Sequence, residues 1–226
     1  MVIGINAGHT ISGPGSGIVG YINESTETRV VAAALRNKLK SMGHTVIQCD
    51  NDYANTTQEN LNAIVNKANA QDLDLFISIH FNGGGGKGVE CWTYNGKMYD
   101  EAIKICDNIH ALGFVNRSIK DGSNLAVVRR TKAKAILVEC CFADTKSDYD
   151  LYQACGAEAV ANAIATAIAG NTATGPVEYD KINDIIWELN HRGILTDTNL
   201  WIQKASNDIN VYWLMRKMCN YVRGIK

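Results

Sequence analysis

"AILVECCF", residues 135–142, raises the question on which the fold turns. Ala135, Ile136, Leu137 and Val138 read as a short strand buried on both faces, the kind found in parallel sheets covered by helices. A carboxylate, Glu139, follows directly, and then two cysteines and a phenylalanine. A buried strand that delivers a charge at its end suggests a sheet whose strand ends, rather than its long loops, carry chemistry.

Working outward, strand-like runs recur: "MVIGIN" (1–6), "HTVIQCD" (44–50), "LDLFISIHF" (73–81) and "GVECWTY" (88–94). Between them the period changes from two to about 3.6. Over 25–42 the apolar positions Val30, Val31, Ala34, Leu35, Leu39 and Met42 share one helical face, and Gly43 suits the position after the helix. Thr56 and Glu59 have capping-box spacing ahead of Leu61, Ile64, Val65 and Ala68. A third helix is predicted over 98–112 with Ile103, Cys106 and Ile109 inward. Ser147 and Asp150 are expected to cap a fourth that carries Leu151, Ala154, Cys155, Ala161, Ile164 and Ile168 to Gly170. Alternating strands and helices predict an α/β fold: one mostly parallel or mixed twisted sheet with helices on both faces.

The pattern then changes. "GNTATGP", 170–176, is rich in small residues, so a domain over 1–170 is expected, with a linker over 171–176. Residues 177–226 hold three of the four tryptophans and helix-spaced apolar residues such as Ile182, Ile185, Ile186 and Leu189, which predicts a small all-α C-terminal module. Its aromatic residues read as core.

A formal charge of -1, from 22 basic and 23 acidic residues, lacks the electrostatic footprint of a duplex binder, so nucleic acid is not an expected partner. No apolar run reaches membrane-spanning length, and residues 1–10 lack the pattern of a secretory signal, so no membrane partner and synthesis in the cytoplasm are expected. Seven cysteines without a C-x-x-C pair read as small core hydrophobes rather than a disulfide framework or thiolate zinc site.

His9 follows the first strand, His80 closes the run "LDLFISIH", and Glu139 closes another, so one sheet rim is expected to collect all three. The glycine-rich loop over 10–20 leads to Glu24 at the start of the first helix, where a carboxylate also suits the helix dipole. Two imidazoles and one carboxylate make the ligand set of catalytic zinc, and a second carboxylate can serve as base. Spacing alone does not say which glutamate does which. Glu90, in "GVECW", competes as the base but ends no strand. Asn82 either begins the turn into Gly83–Gly86 or holds a substrate peptide. His44, His110 and His191 lack that context and read as structural. The glycine run lacks nucleotide-loop spacing.

In order and spacing, "GINAGHT", "GYINESTETR", "SIHFNGG" and "ILVECCF" resemble the zinc-dependent N-acetylmuramoyl-L-alanine amidases of the Amidase_3 family, over residues 2–170. The opening motifs look especially like those of clostridial phage endolysin amidase domains, and that resemblance implies wall targeting or self-association into a homo-oligomer for residues 177–226. The resemblance implies zinc held by His9, Glu24 and His80, and Glu139 as catalytic acid/base. The implied substrate is bacterial peptidoglycan, cut between the MurNAc lactyl group and L-alanine, at the cell wall once the host membrane is permeabilised. The alternative is a non-catalytic wall-binding protein on a degenerate scaffold, against which the intact set of four residues counts. The chain departs from the family with Asn6-Ala7 for Asp-Pro, Thr10 for glycine and Cys141 for glycine. Cys141 is expected to narrow the cleft floor and set a thiol near the metal. Strict alternation would let only one of Cys140 and Cys141 face it.

Overall fold

The computed structural model describes residues 1–169 and, beyond them, Ile186, Leu189, Asn190, 194–196, Leu200, Trp201 and Met215. The linker and the helical module expected over 171–226 lie, apart from those few positions, outside the described residues.

The order is β1 (Val2–Ala7), α1 (Glu24–Ser41), β2 (Thr45–Gln48), α2 (Thr57–Asn69), β3 (Leu75–Asn82), β4 (Val89–Thr93), α3 (Asp100–His110), β5 (Asn116–Asp121), α4 (Ala126–Arg130), β6 (Lys134–Phe142) and α5 (Lys146–Ile168). Among the described residues, six strands form one sheet ordered β2-β1-β3-β6-β4-β5. Its first four strands run parallel. β4 lies antiparallel to β6, and β5 follows β4 in parallel, so the sheet is mixed.

Period-two alternation divides the side chains of each strand between two cores. Leu75, Ile77, Ile79 and Phe81 of β3 pack with α1, α3 and α5, while Phe76 packs with Ile64 and Val65 of α2 and Val127 and Val128 of α4. Among the described residues, the second face is covered by the 13-residue α2 and the five-residue α4. His80 and Glu139 stand on that thinly covered face, opposite each other in the β3–β6 register.

Thr56 caps α2 by accepting from Glu59 N at 3.1 Å. The cap expected at Ser147 and Asp150 is not formed: Thr145 precedes the helix, and Asp150 lies in an exposed pair with Lys146. The acid that matters is Asp148, 2% exposed, whose Oδ2 accepts from Gly88 N at 2.7 Å and Phe142 N at 2.9 Å. It ties α5 to the ends of two strands. In α3, Ile105 takes the fully inward place expected of Ile103, which is half-buried.

Alternation fails at Cys140 and Cys141. His80 pairs Glu139 but Asn82 pairs Phe142, so Phe81 faces two residues of β6 across a bulge. Both cysteines are fully buried in the core that holds Phe81, on the side away from His80 and Glu139. Cys141 therefore neither floors the cleft nor sets a thiol beside the ligands. Burial pushes both thiols well above their ordinary range, which makes them inert packing groups.

Replacing Asp148 by alanine would strand two strand-end amides. A loss of about 2–4 kcal/mol in chemical denaturation is expected, and a loss under about 0.5 kcal/mol would show that water replaces the carboxylate.

Candidate metal centre and acid/base site

Glu24 is the first residue of α1, behind an Asn23 cap whose side chain accepts from Thr26 N. Its carboxylate points into the protein, not along the helix dipole. Oε1 accepts from Phe81 N and Oε2 from Ile18 N, both at 3.0 Å. Glu24 Oε1 also lies 3.0 Å from His9 Nε2 and 3.2 Å from His80 Nδ1, and the two imidazole nitrogens are 3.1 Å apart. His9, Glu24 and His80 each offer one ligand atom within 4.8 Å of the others.

The outer nitrogens decide the tautomers. His9 Nδ1 lies 2.9 Å from the Gly15 carbonyl oxygen, which can only accept, so Nδ1 carries the proton and Nε2 its lone pair. His80 Nε2 lies 3.1 Å from Ser78 Oγ, whose hydroxyl donates to Asn6 Oδ1 at 2.7 Å. Ser78 therefore accepts from His80 Nε2, and Nδ1 turns its lone pair inward. Two lone pairs and an anionic oxygen thus meet at one point, a donor set that fits a divalent cation and in particular zinc.

The charges agree. Burial alone would raise the Glu24 carboxyl, but hydrogen bonds and charge from His80 and His9 hold it well below the usual carboxylate range. Burial lowers His80 and keeps it neutral, with the charge of His9 adding to that against the hydrogen bond of Glu24. Burial opposes protonation of His9 as well, yet the hydrogen bond and charge of Glu24 outweigh it and raise His9 above 6.5.

The 10–20 loop closes over this point at van der Waals range. A Cβ on Gly17, whose φ is +79°, would meet Glu24 Oε2 at 2.5 Å and the His9 ring at 2.9 Å, and one on Gly8 would meet His80 Cε1 at 2.4 Å. His9 itself sits at φ 67°, a strained position for a non-glycine residue. Arg29, which sequence reasoning missed, holds it there: Nη2 donates to His9 O at 3.0 Å while Nε donates to Asp52 at 3.0 Å. Ser78 and Asn6 were also missed as supports. They were findable, since Ser78 shares a face with His80 two residues on and pairs with Asn6 across β1.

Glu139 stands beside His80, and Glu90 pairs with it across β4. β4 runs antiparallel to β6, so a residue near its start reaches the rim that β1, β3 and β6 reach at their ends. The two carboxylates are nonetheless unequal. Glu90 accepts from Asn82 Nδ2 and from Arg117 Nε, each at 2.7 Å, and is committed to those partners. Glu139 Oε2 is buried with no partner among the described residues. Burial, reinforced by the charges of Glu24 and Glu90, pushes its carboxyl well above the ordinary range. Asn82 spends its amide on Glu90 and accepts from Gly83 N at 2.8 Å, so it braces the rim.

Residues 3–170 match the model of the N-acetylmuramoyl-L-alanine amidase family (Amidase_3). The chain belongs to that family. It is 35% identical over 181 residues to a protein of Clostridium perfringens, covering 74% of this chain and 51% of that protein. It is 32% identical over 158 residues to the sporulation-specific N-acetylmuramoyl-L-alanine amidase of Bacillus subtilis, covering 64% of this chain and 57% of that one. The chain thus spans about half the length of the curated relatives it matches. Its fold matches the catalytic domain of the CD27L endolysin targeting Clostridia difficile with a TM-score of 0.71 and 29% identity, over 77% of this chain and 99% of that domain. No helix among the described residues is long and apolar enough to cross a membrane.

Two outcomes follow from this packing. Gly17→Ala should weaken zinc binding at least tenfold in chelator competition, while Gly13→Ala, with the same φ but nothing within 4 Å, should not; equal affinities would place the cation elsewhere. Because a proton competes for His9 Nε2, affinity should fall as pH drops through the raised His9 pKa, and be tighter at pH 8 than at pH 6. Identical affinities at the two values would contradict the ligand assignment.

Proposed function

We propose that the chain is a peptidoglycan hydrolase that cleaves the amide between the MurNAc lactyl group and L-alanine, with zinc on His9, Glu24 and His80 and with Glu139 as general base. The observation that carries this reading is the meeting of two imidazole nitrogens and one carboxylate oxygen beside a buried carboxyl whose Oε2 has no partner among the described residues. Membership of the amidase family supplies the bond.

When bound, zinc supplies a Lewis acid that polarises a carbonyl and brings the pKa of water to about 7. The protein's own groups do the rest. Gly15 and Ser78 keep the outer imidazole protons in place, and the amides of Phe81 and Ile18 keep Glu24 ionised and oriented. Glu139, whose carboxyl burial raises well above the ordinary range, would take a proton at Oε2 from the attacking water. The water oxygen bonds to the lactyl carbonyl carbon, Glu139 passes the proton to the alanine nitrogen, and the C–N bond breaks. The products are a lactyl carboxylate and a free α-amine.

The likeness to the endolysin catalytic domain supports a lytic role on clostridial walls, probed by clearing of wall suspensions. The proposed organisation is a hydrolase domain over 1–170, a linker over 171–176 and a targeting or self-associating module over 177–226.

Glu139→Gln should retain zinc and the wild-type melting curve but lose about 10²–10⁴-fold in release of stem peptides, whereas His9→Ala should lose the metal itself. Mass spectrometry of released peptides beginning at free L-alanine checks both. Near-normal release by Glu139→Gln would move the base to another residue.

A further inference from the structure

Four adjacent strands carry a transverse row of functional side chains: His80 on β3, Glu139 on β6, Glu90 on β4 and Arg117 on β5. The hydrolysis above uses the first two. Glu90 and Arg117 form a second unit whose construction calls for a reason of its own.

Arg117 is held from three directions. Its Nε donates to Glu90 Oε2 at 2.7 Å, and Glu90, only 3% exposed, is itself fixed by Asn82. The guanidinium lies 5.0 Å above the centre of the Phe142 ring. That ring is wedged by Gly86, on which a Cβ would meet it at 2.4 Å. The Arg117 side chain remains 37% exposed, and its two Nη groups have no partner among the described residues. One edge of the guanidinium is pinned and the other faces outward at the rim.

The backbone is shaped for this. Val89 pairs Asn116 but Cys91 pairs Ile119, so β5 carries an extra residue, and Ser118 takes a φ of 66°. In a regular strand Arg117 and Ile119 would face the same side. The bulge lets Ile119 pack into the core while Arg117 stays with Glu90. Left-handed backbone at a serine is a local strain that persists where surrounding structure imposes it.

A planar cation with a free pair of Nη donors recognises a carboxylate through two parallel hydrogen bonds. Its distance from the bond cut restricts which carboxylate. Two strand spacings separate the backbones of β6 and β5, about 10 Å, and Arg117 leans back toward Glu90 across part of that gap. From the lactyl carbonyl carbon to an α-carboxylate on the second stem residue the covalent chain spans about 8 Å. A carboxylate on the third residue, reached through a γ-linkage, lies roughly 5 Å further along the chain.

We propose that Arg117 is a specificity-determining residue that pairs with the free α-carboxylate of the second stem residue, D-isoglutamate rather than its amide, and so lays the stem peptide across β4 and β5. This rests on the amide-hydrolase reading given above.

The test compares two soluble muramyl peptides that differ only at that group, acid against carboxamide, with the full zinc-loaded chain. Wild type should favour the acid by about tenfold to a hundredfold in kcat/KM, mostly through KM, and Arg117→Lys should bring the ratio close to one. Lysine keeps a cation beside Glu90. Arg117→Gln with Glu90→Gln removes both charges together, and melting curves report that each variant folds. A wild-type ratio near one, or a ratio unchanged in both variants, overturns the proposal. If the wild type cleaves neither peptide, the hydrolase reading fails, and calorimetric titration of the same two peptides decides Arg117 separately. Tighter binding of the acid, lost in Arg117→Lys, supports the contact; equal binding overturns it.

Discussion

The carboxylate of Glu24 is the constraint on which the rest of the site depends. It accepts from two backbone amides, one on β3 and one in the 10–20 loop, and touches both imidazoles. A buried anion costs free energy unless it is paired and fully hydrogen-bonded, and here every partner is a piece of the site. The loop must come in close enough for Gly17 to graze the carboxylate, His9 must adopt left-handed backbone, and β3 must extend past His80 so that Phe81 N can donate. Without Glu24, these three segments would have no common partner.

Much of the fold can be read from local pattern. Apolar runs of four to nine residues mark β1, β2, β3, β4 and β6, and helical spacing marks α1, α2, α3 and α5. β5 escapes because "NRSIKD" is a polar edge strand with one apolar side chain facing the core, and α4 because five residues cannot establish a period. Asp148 escapes because sequence shows only an acid near a helix start, not that it has turned inward to bind Gly88 and Phe142. The two bulges escape for a similar reason. Period two is a default that nothing in "ECCF" or "RSI" cancels, so the joint burial of Cys140 and Cys141 and the re-aiming of Arg117 appear only when strands are paired.

The site was legible in part for the same reason. His9 follows a strand, His80 and Glu139 lie near the ends of two more, Glu24 starts a helix, and a family resemblance gathers them. What sequence leaves open is rank among carboxylates. Glu90 and Glu139 are neighbours on one face of the sheet, and their difference lies wholly in their partners. Asn82 and Arg117 occupy Glu90, and nothing described occupies Glu139 Oε2. The same accounting gives Asn82 a bracing part beside Glu90.

X-ray absorption at the zinc edge of the metal-loaded full chain tests the central claim most directly, because it reads ligand atoms without reference to activity. The account predicts a shell of nitrogen and oxygen only, with two imidazoles, that disappears when Glu24 or His80 is replaced. A sulfur ligand, or an unchanged spectrum in Glu24→Ala, would contradict it.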